Sequence, residues 1–245
     1  MAGIEKNLDV QWFRQQTLFF CGPAVAQMFL SFLKITVSQQ DLWTDITNNT
    51  GGTRPPDAPA TGHEFPQQVC DNCNPSSSNP GRWECWDTTP DALGTVVATR
   101  GKIGLAARYA SRFDEGVEML IDSLDRTPQA PAFATVNLIN HWVLVKGYLR
   151  DDFTSTSAPV QTVGRYNLNG LYIHDPQEED EVERVKLVTV NGWRSKFGLI
   201  GCGPHIDTYP VVITTAPMAA FVRYAAFLVA VVLLYYFWKW WSSGG

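Results

Sequence analysis

His141-Trp142-Val143-Leu144-Val145-Lys146-Gly147-Tyr148 is the stretch on which the fold turns. Its side chains alternate: His141, Val143 and Val145 face one way, Trp142, Leu144 and Lys146 the other, which is the period of a β-strand. Residues 132–137, 170–174, 184–190 and 211–215 read the same way. All of them follow Pro128. Before it the period is helical. Cys21 to Leu33 reads CGPAVAQMFLSFL, with Pro23 in the first turn and Val25, Met28, Phe29 and Phe32 at i, i+3, i+4 and i+7. Ser38 caps a second short helix running to Ile46, and Thr89-Pro90-Asp91 opens a third, with Leu93, Val96 and Val97 on one side. Asp114 to Asp125 is amphipathic, with Val117, Leu120, Ile121 and Leu124 sharing a face. Helices first and strands afterwards imply an α+β fold with an antiparallel sheet, not a βαβ array.

The chain has 245 residues, enough for one domain with a full core, with or without an appendage. A hydrophobic share of 45% and a charged share of 18% exclude a disordered chain. With 19 basic and 24 acidic side chains the net charge is −5, which argues against a nucleic-acid partner. The acidic run from Glu178 to Glu183 is a solvated turn or the start of a strand.

The two ends differ. The opening MAGIEKNLDVQWFRQQ lacks the apolar run of a signal peptide, so the expectation is an N-terminal domain in the cytoplasm. From Ala216 to Trp238 the one charge is Arg223. The uncharged part, Tyr224 to Trp238, rises only ~22 Å as a helix against a hydrocarbon core of ~30 Å. Letting Arg223 snorkel extends the span to Ala216. Tyr235, Tyr236, Trp238, Trp240 and Trp241, beside Lys239, then form an aromatic belt. The expectation is a single membrane-spanning tail anchor over 216–241 in contact with lipid, and hence a single-pass membrane protein. A buried core helix is the weaker alternative.

Cys21 begins the first helix, whose free N–H groups and positive partial charge favour a thiolate, the nucleophilic form of sulfur. The plain alternative is a small buried hydrophobe. The chain has four histidines, 63, 141, 174 and 205. If the strand opening at His141 pairs antiparallel with GLYIH (170–174), Asp175 comes to lie near His141. A carboxylate on one imidazole nitrogen then fixes the tautomer and leaves the other for the sulfur. His174 faces away from Ile173 and Asp175 and is the poorer base. Gln15 and Gln16 precede Cys21 by six and five residues, and a side-chain amide there, with the Cys21 backbone N–H, can supply two oxyanion donors.

Thr50 to Asp87 is a loop with six prolines and four glycines. A loop of that length is functional, flexible or clamped. His63, Cys70, Cys73 and Cys85 follow the spacing H-x6-C-x2-C-x11-C, which suits a structural zinc ion in a reducing compartment. A Cys70–Cys85 or Cys73–Cys85 disulfide, or three plain thiols, are the other readings. The odd total of five cysteines cannot form a fully paired disulfide framework. Trp83 and Trp86 in this loop pack either locally or near the active cleft or the membrane. Cys202-Gly203-Pro204-His205 reads as a turn. Catalysis itself requires no cofactor.

Taken together, Gln15-x5-Cys21-Gly22-Pro23-Ala24, Ser38-Gln39-Gln40-Asp41-Leu42, Pro131-Ala132-Phe133, His141 through Tyr148, and Tyr172-Ile173-His174-Asp175-Pro176 resemble papain-like cysteine peptidases of the C39-like group. That group includes the bacteriocin-leader peptidases that cut after double glycine. The resemblance covers roughly residues 10 to 190. It departs at Phe20, where many such peptidases carry Asp or Glu, and in the insertion at 50–87. It implies a papain-like peptidase domain over 1–210. Cys21 would be the nucleophile, His141 the base and acid, Asp175 the orienting carboxylate and Gln15 the oxyanion-hole side chain. The expected activity is membrane-anchored hydrolysis of a peptide or isopeptide bond through an acyl-enzyme. The alternatives are a non-catalytic peptide-binding module of this fold and a membrane-perturbing protein regulated by its globular domain.

Overall fold

The computed structural model describes residues 4–17, 20–49, 88–136, 141–150, 160–178, 185–197 and 208–215. The chain divides into two compact units, Met1–Thr214 and Thr215–Gly245, and of the second only Thr215 is among the described residues.

Helix α1 (Cys21–Phe32) begins with Pro23 in its first turn. It ends where Lys34 enters the left-handed region at φ 64° and the Ile35 N–H closes back on the Leu30 carbonyl at 2.9 Å, a Schellman-type stop. Helix α2 (Gln39–Asn49) is capped by Ser38, whose Oγ accepts from the Asp41 N–H at 3.0 Å and donates to the Asp41 carboxylate at 2.7 Å. Helix α3 (Pro90–Gly101) has Thr89 as its cap and Pro90 at its first position. Helix α4 (Phe113–Asp125) carries the expected apolar face, with Val117, Leu120, Ile121 and Leu124 buried.

The strands are β1 (Ile4–Asn7), β2 (Leu105–Ala110), β3 (Ala132–Val136), β4 (His141–Arg150), β5 (Gln161–Val163), β6 (Tyr166–His174), β7 (Val185–Thr189) and β8 (Tyr209–Thr214). They form one sheet in the order β2-β8-β3-β4-β6-β5, with β1 joined to β4 and β7 to β6. Every pairing is antiparallel.

Strand β4 is the centre of the molecule, and all its residues but Arg150 are buried. Its period of two splits the core. Trp142 and Leu144 join Val25, Met28 and Phe29 of α1 on one face. Val143 and Val145 join the apolar side of α4 on the other. Emptying one such site, as in Leu144→Ala, costs roughly 2–5 kcal/mol. At Gly147 a Cβ would lie 2.1 Å from the Lys6 carbonyl oxygen, so the close approach of β1 requires glycine there.

The expected strand over 184–190 stops at Thr189, because Thr189 Oγ1 caps a short helix, α5 (Val190–Lys196). The segment read as 170–174 extends back to Tyr166.

One expectation is overturned. Among the described residues no helix is long and apolar enough to cross a membrane. The longest of them, α4 with 13 residues, rises only ~20 Å against a hydrocarbon core of ~30 Å. The fold is corrected to a mixed helix and antiparallel-sheet architecture in which no helix among the described residues spans a membrane, and the single-pass membrane location loses its support with it. Residues 216–241, to which the tail anchor was assigned, lie outside the described residues.

Candidate active site

Cys21 is the first residue of α1, a free cysteine with its side chain partly accessible. No side chain caps this helix and no acidic residue lies in its first turn, so nothing among the described residues competes there for the orphan N–H groups. The helix start is held from two sides. Phe20 is buried and its ring stacks on Trp43 of α2 with centroids 5.3 Å apart. Gly22 lies against Thr88, whose Cγ2 is 2.4 Å from where a Cβ would be. The Thr88 carbonyl in turn accepts from the Trp142 indole at 3.1 Å. Thr88 therefore ties the residue after Cys21 to the residue after His141, two points far apart in sequence.

His141 opens β4 and is 5% exposed. The register pairs Leu144 with His174 and Val145 with Ile173. Continuing it puts Asp175 opposite Val143, on the face that His141 shares. The His141 Nε2 and the Asp175 Oδ1 are 2.6 Å apart. The same Asp175 oxygen accepts from the Gln177 N–H at 3.0 Å, and the Asp175 carbonyl accepts from the Trp12 indole at 2.8 Å. The Cys21 side chain lies near enough to the imidazole to favour its charged form. With Nε2 taken by the carboxylate, Nδ1 is the nitrogen left for the sulfur.

The electrostatics follow from that arrangement. Burial, the largest influence on His141, opposes its charged form. The hydrogen bonds to Asp175 and Cys21 and the attraction of both outweigh it and raise the imidazole to about 10. Burial likewise pushes the Asp175 carboxyl up, but the His141 hydrogen bond and charge, the Gln177 N–H and Lys186 together hold it below its ordinary value.

The other expected residues fall as follows. His174 is buried and its Nε2–H donates to the Val10 carbonyl at 2.8 Å, so it anchors the N-terminal segment to β6. The Gln15 N–H donates to the Pro176 carbonyl at 2.9 Å, beside Asp175. Its side-chain Oε1 is buried without a hydrogen-bond partner among the described residues. The Gln16 N–H donates to the side chain of Gln39 at 2.9 Å. His63, Cys70, Cys73 and Cys85 lie outside the described residues, as do Cys202 and His205. Among the described residues no cluster of three or more His, Cys, Asp or Glu side chains suits a metal ion. Thr88, Trp12 and Gln39 escaped the sequence reading as site residues. Each acts through a backbone carbonyl or buried contact that no motif announces, although Gln39 stands within the Ser38–Leu42 motif.

A partly accessible thiol at a helix start, near a buried strand imidazole that a carboxylate grips from behind, sits in a mixed helix and antiparallel-sheet fold; together these point to the papain-like, C39-like group. Residues 7–197 match the Peptidase_C39 like family, and the chain belongs to it. Among solved structures it is similar to a double glycine motif protease from an AMS/PCAT transporter in complex with the leader peptide. That similarity has 13% identity, coverage of 86% of this chain and 99% of the other, and a TM-score of 0.43. It is also similar to a C39-like peptidase from Bacillus anthracis, with 11% identity, coverage of 87% and 99%, and a TM-score of 0.46. No curated protein matches the chain.

Proposed function

We propose that the chain is a cysteine peptidase that hydrolyses a peptide or isopeptide bond, with Cys21 as nucleophile, His141 as general base and acid, Asp175 as the orienting carboxylate and Gln15 as an oxyanion donor. The observation that carries the reading is the imidazole of His141, bonded to Asp175 at 2.6 Å and close enough to Cys21 for the sulfur to favour its charged form. A buried histidine kept only for packing has no need of both partners.

The Cys21 sulfur attacks the substrate carbonyl as a thiolate, and the carbonyl oxygen becomes an oxyanion. The Cys21 backbone N–H, at the uncapped helix start, and the Gln15 side-chain amide stabilise that charge. The C–N bond breaks, the leaving amine takes the proton from His141, and a thioester remains on Cys21. Water then attacks the thioester. His141 takes its proton, the acid product leaves and the thiolate–imidazolium pair returns. Asp175 holds the ring and stabilises its charged form throughout. The peptidase domain spans 1–210, with 50–87 inserted between α2 and α3. No step is assigned to His63, Cys70, Cys73 or Cys85.

The test is to treat the protein with a peptidyl acyloxymethyl ketone, with and without prior iodoacetamide, and to map the modified residue by mass spectrometry. Labelling of Cys21, blocked by iodoacetamide and absent in Cys21→Ala, is expected. A Cys21→Ala protein that still cleaves peptides at the full rate would refute the assignment.

A further inference from the structure

We infer that Gln39 is a positioning residue for the oxyanion site: its buried side-chain amide holds the backbone on both sides of Gln15 and so sets where the Gln15 amide points. The inference rests on the reading of Gln15 as an oxyanion donor.

Gln39 is the first residue of α2 and is 1% exposed. Its Nε2 donates to the Arg14 carbonyl at 2.8 Å and to the Gln27 Oε1 at 3.0 Å. Its Oε1 accepts from the Gln16 N–H at 2.9 Å. One amide thus engages the peptide group before Gln15 and the peptide group after it. The 14–15 bond is trans, so its C=O and N–H point in opposite directions. Gln39 takes the C=O, and the Pro176 carbonyl takes the N–H at 2.9 Å. The backbone at Gln15 is therefore gripped from both sides, by the helical half of the molecule and by the turn that carries Asp175. Gln27, which fixes the far end of the Gln39 amide, lies on α1 with Cys21, and its own Nε2 donates to the Val37 carbonyl at 2.9 Å. The chain of contacts from Cys21 to Gln15 runs α1, Gln27, Gln39, Arg14 and Gln16.

What this clamp holds in place is an amide with an unused end. Among the described residues the Gln15 Oε1 is buried with no hydrogen-bond partner, an arrangement that costs free energy until a partner completes it. A half-turn about the last side-chain torsion exchanges oxygen for NH₂ at little steric cost, so the same place can present a donor to an oxyanion. Such a donor acts only if its distance to the reacting oxygen is fixed to a fraction of an ångström. Among the described residues no hydrogen bond to its Oε1 fixes the Gln15 side chain, and the backbone clamp supplies the constraint.

The experiment compares two small reagents that need Cys21 in different ways. Iodoacetamide alkylates the thiolate by direct displacement, with no oxyanion. p-Nitrophenyl acetate acylates it through a tetrahedral oxyanion and releases p-nitrophenolate. Both rates are measured on the full chain, with Cys21→Ala as the blank. Gln15→Ala is expected to slow acylation ~10²-fold and leave alkylation within about twofold. Gln39→Leu is expected to slow acylation roughly tenfold, again with alkylation within about twofold, and to add nothing further in the Gln15→Ala background. Gln39→Glu keeps the acceptor for Gln16 and loses both donated bonds, so it shows the same selective loss without an apolar substitution in the site. Equal losses in both rates, no loss in either, or a Gln39→Leu effect that persists undiminished without Gln15 would overturn the inference. Unchanged acylation in Gln15→Ala would instead remove the oxyanion reading of Gln15, and this inference with it, while leaving Cys21 and His141 in their roles.

Discussion

At the Arg150 end of β4, Asp125 accepts from the Tyr148 hydroxyl at 2.6 Å and from Lys6 at 2.8 Å, with Arg150 at 3.6 Å. At the His141 end, Asp175 accepts from an imidazole at 2.6 Å. Both carboxyls are raised by burial and pulled back below their ordinary value by their neighbours. The difference lies in what stands opposite. Lys6 and Arg150 form ion pairs with Asp125, so that cluster is a structural knot. His141 is a cation only because Asp175 and Cys21 make it one, and it can give its proton away. The same kind of carboxylate serves the fold at one end of the strand and supports chemistry at the other. What separates the two roles is a partner that exchanges protons and lies near a partly accessible sulfur.

Mutations sharpen this contrast. Replacing His141 by Ala removes both the base and the acid, and peptide cleavage should fall ~10³-fold or more, read as initial rates on a fluorogenic peptide. Asp175→Asn keeps a group that can hold the ring but removes the charge, so the loss should be smaller, ~10- to 10²-fold, with KM little changed. At the other end of the strand, Tyr148→Phe removes one hydrogen bond from a knot that Lys6 still closes. It should lower stability by about 1 kcal/mol in urea unfolding and leave the cleavage rate within experimental scatter. Comparable rate losses from Tyr148→Phe and Asp175→Asn would erase the distinction between the two ends.

The pH dependence has a definite sign. The imidazolium of His141 binds its proton more tightly in the fold than in the unfolded chain. Its contribution to stability is complete below about pH 6.5 and is lost as pH rises through about 10. Asp175 works the other way: its contribution is present above about pH 3.8 and is lost as pH falls through its lowered value. Amide cleavage should decline on the alkaline side, as the proton owed to the leaving amine disappears.

Much of this was readable from residue order. The strand character of 141–148 and its alternating faces follow from period two, and antiparallel pairing with 170–174 is enough to bring Asp175 to His141. Helix α4 is announced by its apolar stripe. Strand β1, reading IEKN, is a short polar edge with no alternation to reveal it. Strand β2 is defined by pairing with β8, Leu105 opposite Thr214, and such a distant partner leaves no local trace. Nor does sequence show how α1 finds β4. That depends on Gly22 leaving room for Thr88 and on the Thr88 carbonyl meeting the Trp142 indole, contacts formed by shape and backbone polarity. The tail read as a membrane span shows the opposite limit: an apolar run, a snorkelling Arg223 and an aromatic belt suggested it, and no helix among the described residues has the length and apolarity to cross a membrane.

The most direct test of the coupled trio is the titration of the His141 imidazole, followed by long-range ¹H–¹⁵N NMR in the wild-type chain and in Cys21→Ala. The expected result is a ring that stays protonated through neutral pH and gives up its proton only towards about 10, with a clear downward displacement once the sulfur is gone. A ring that titrates near 6.5 in both proteins, indifferent to Cys21, would contradict the account.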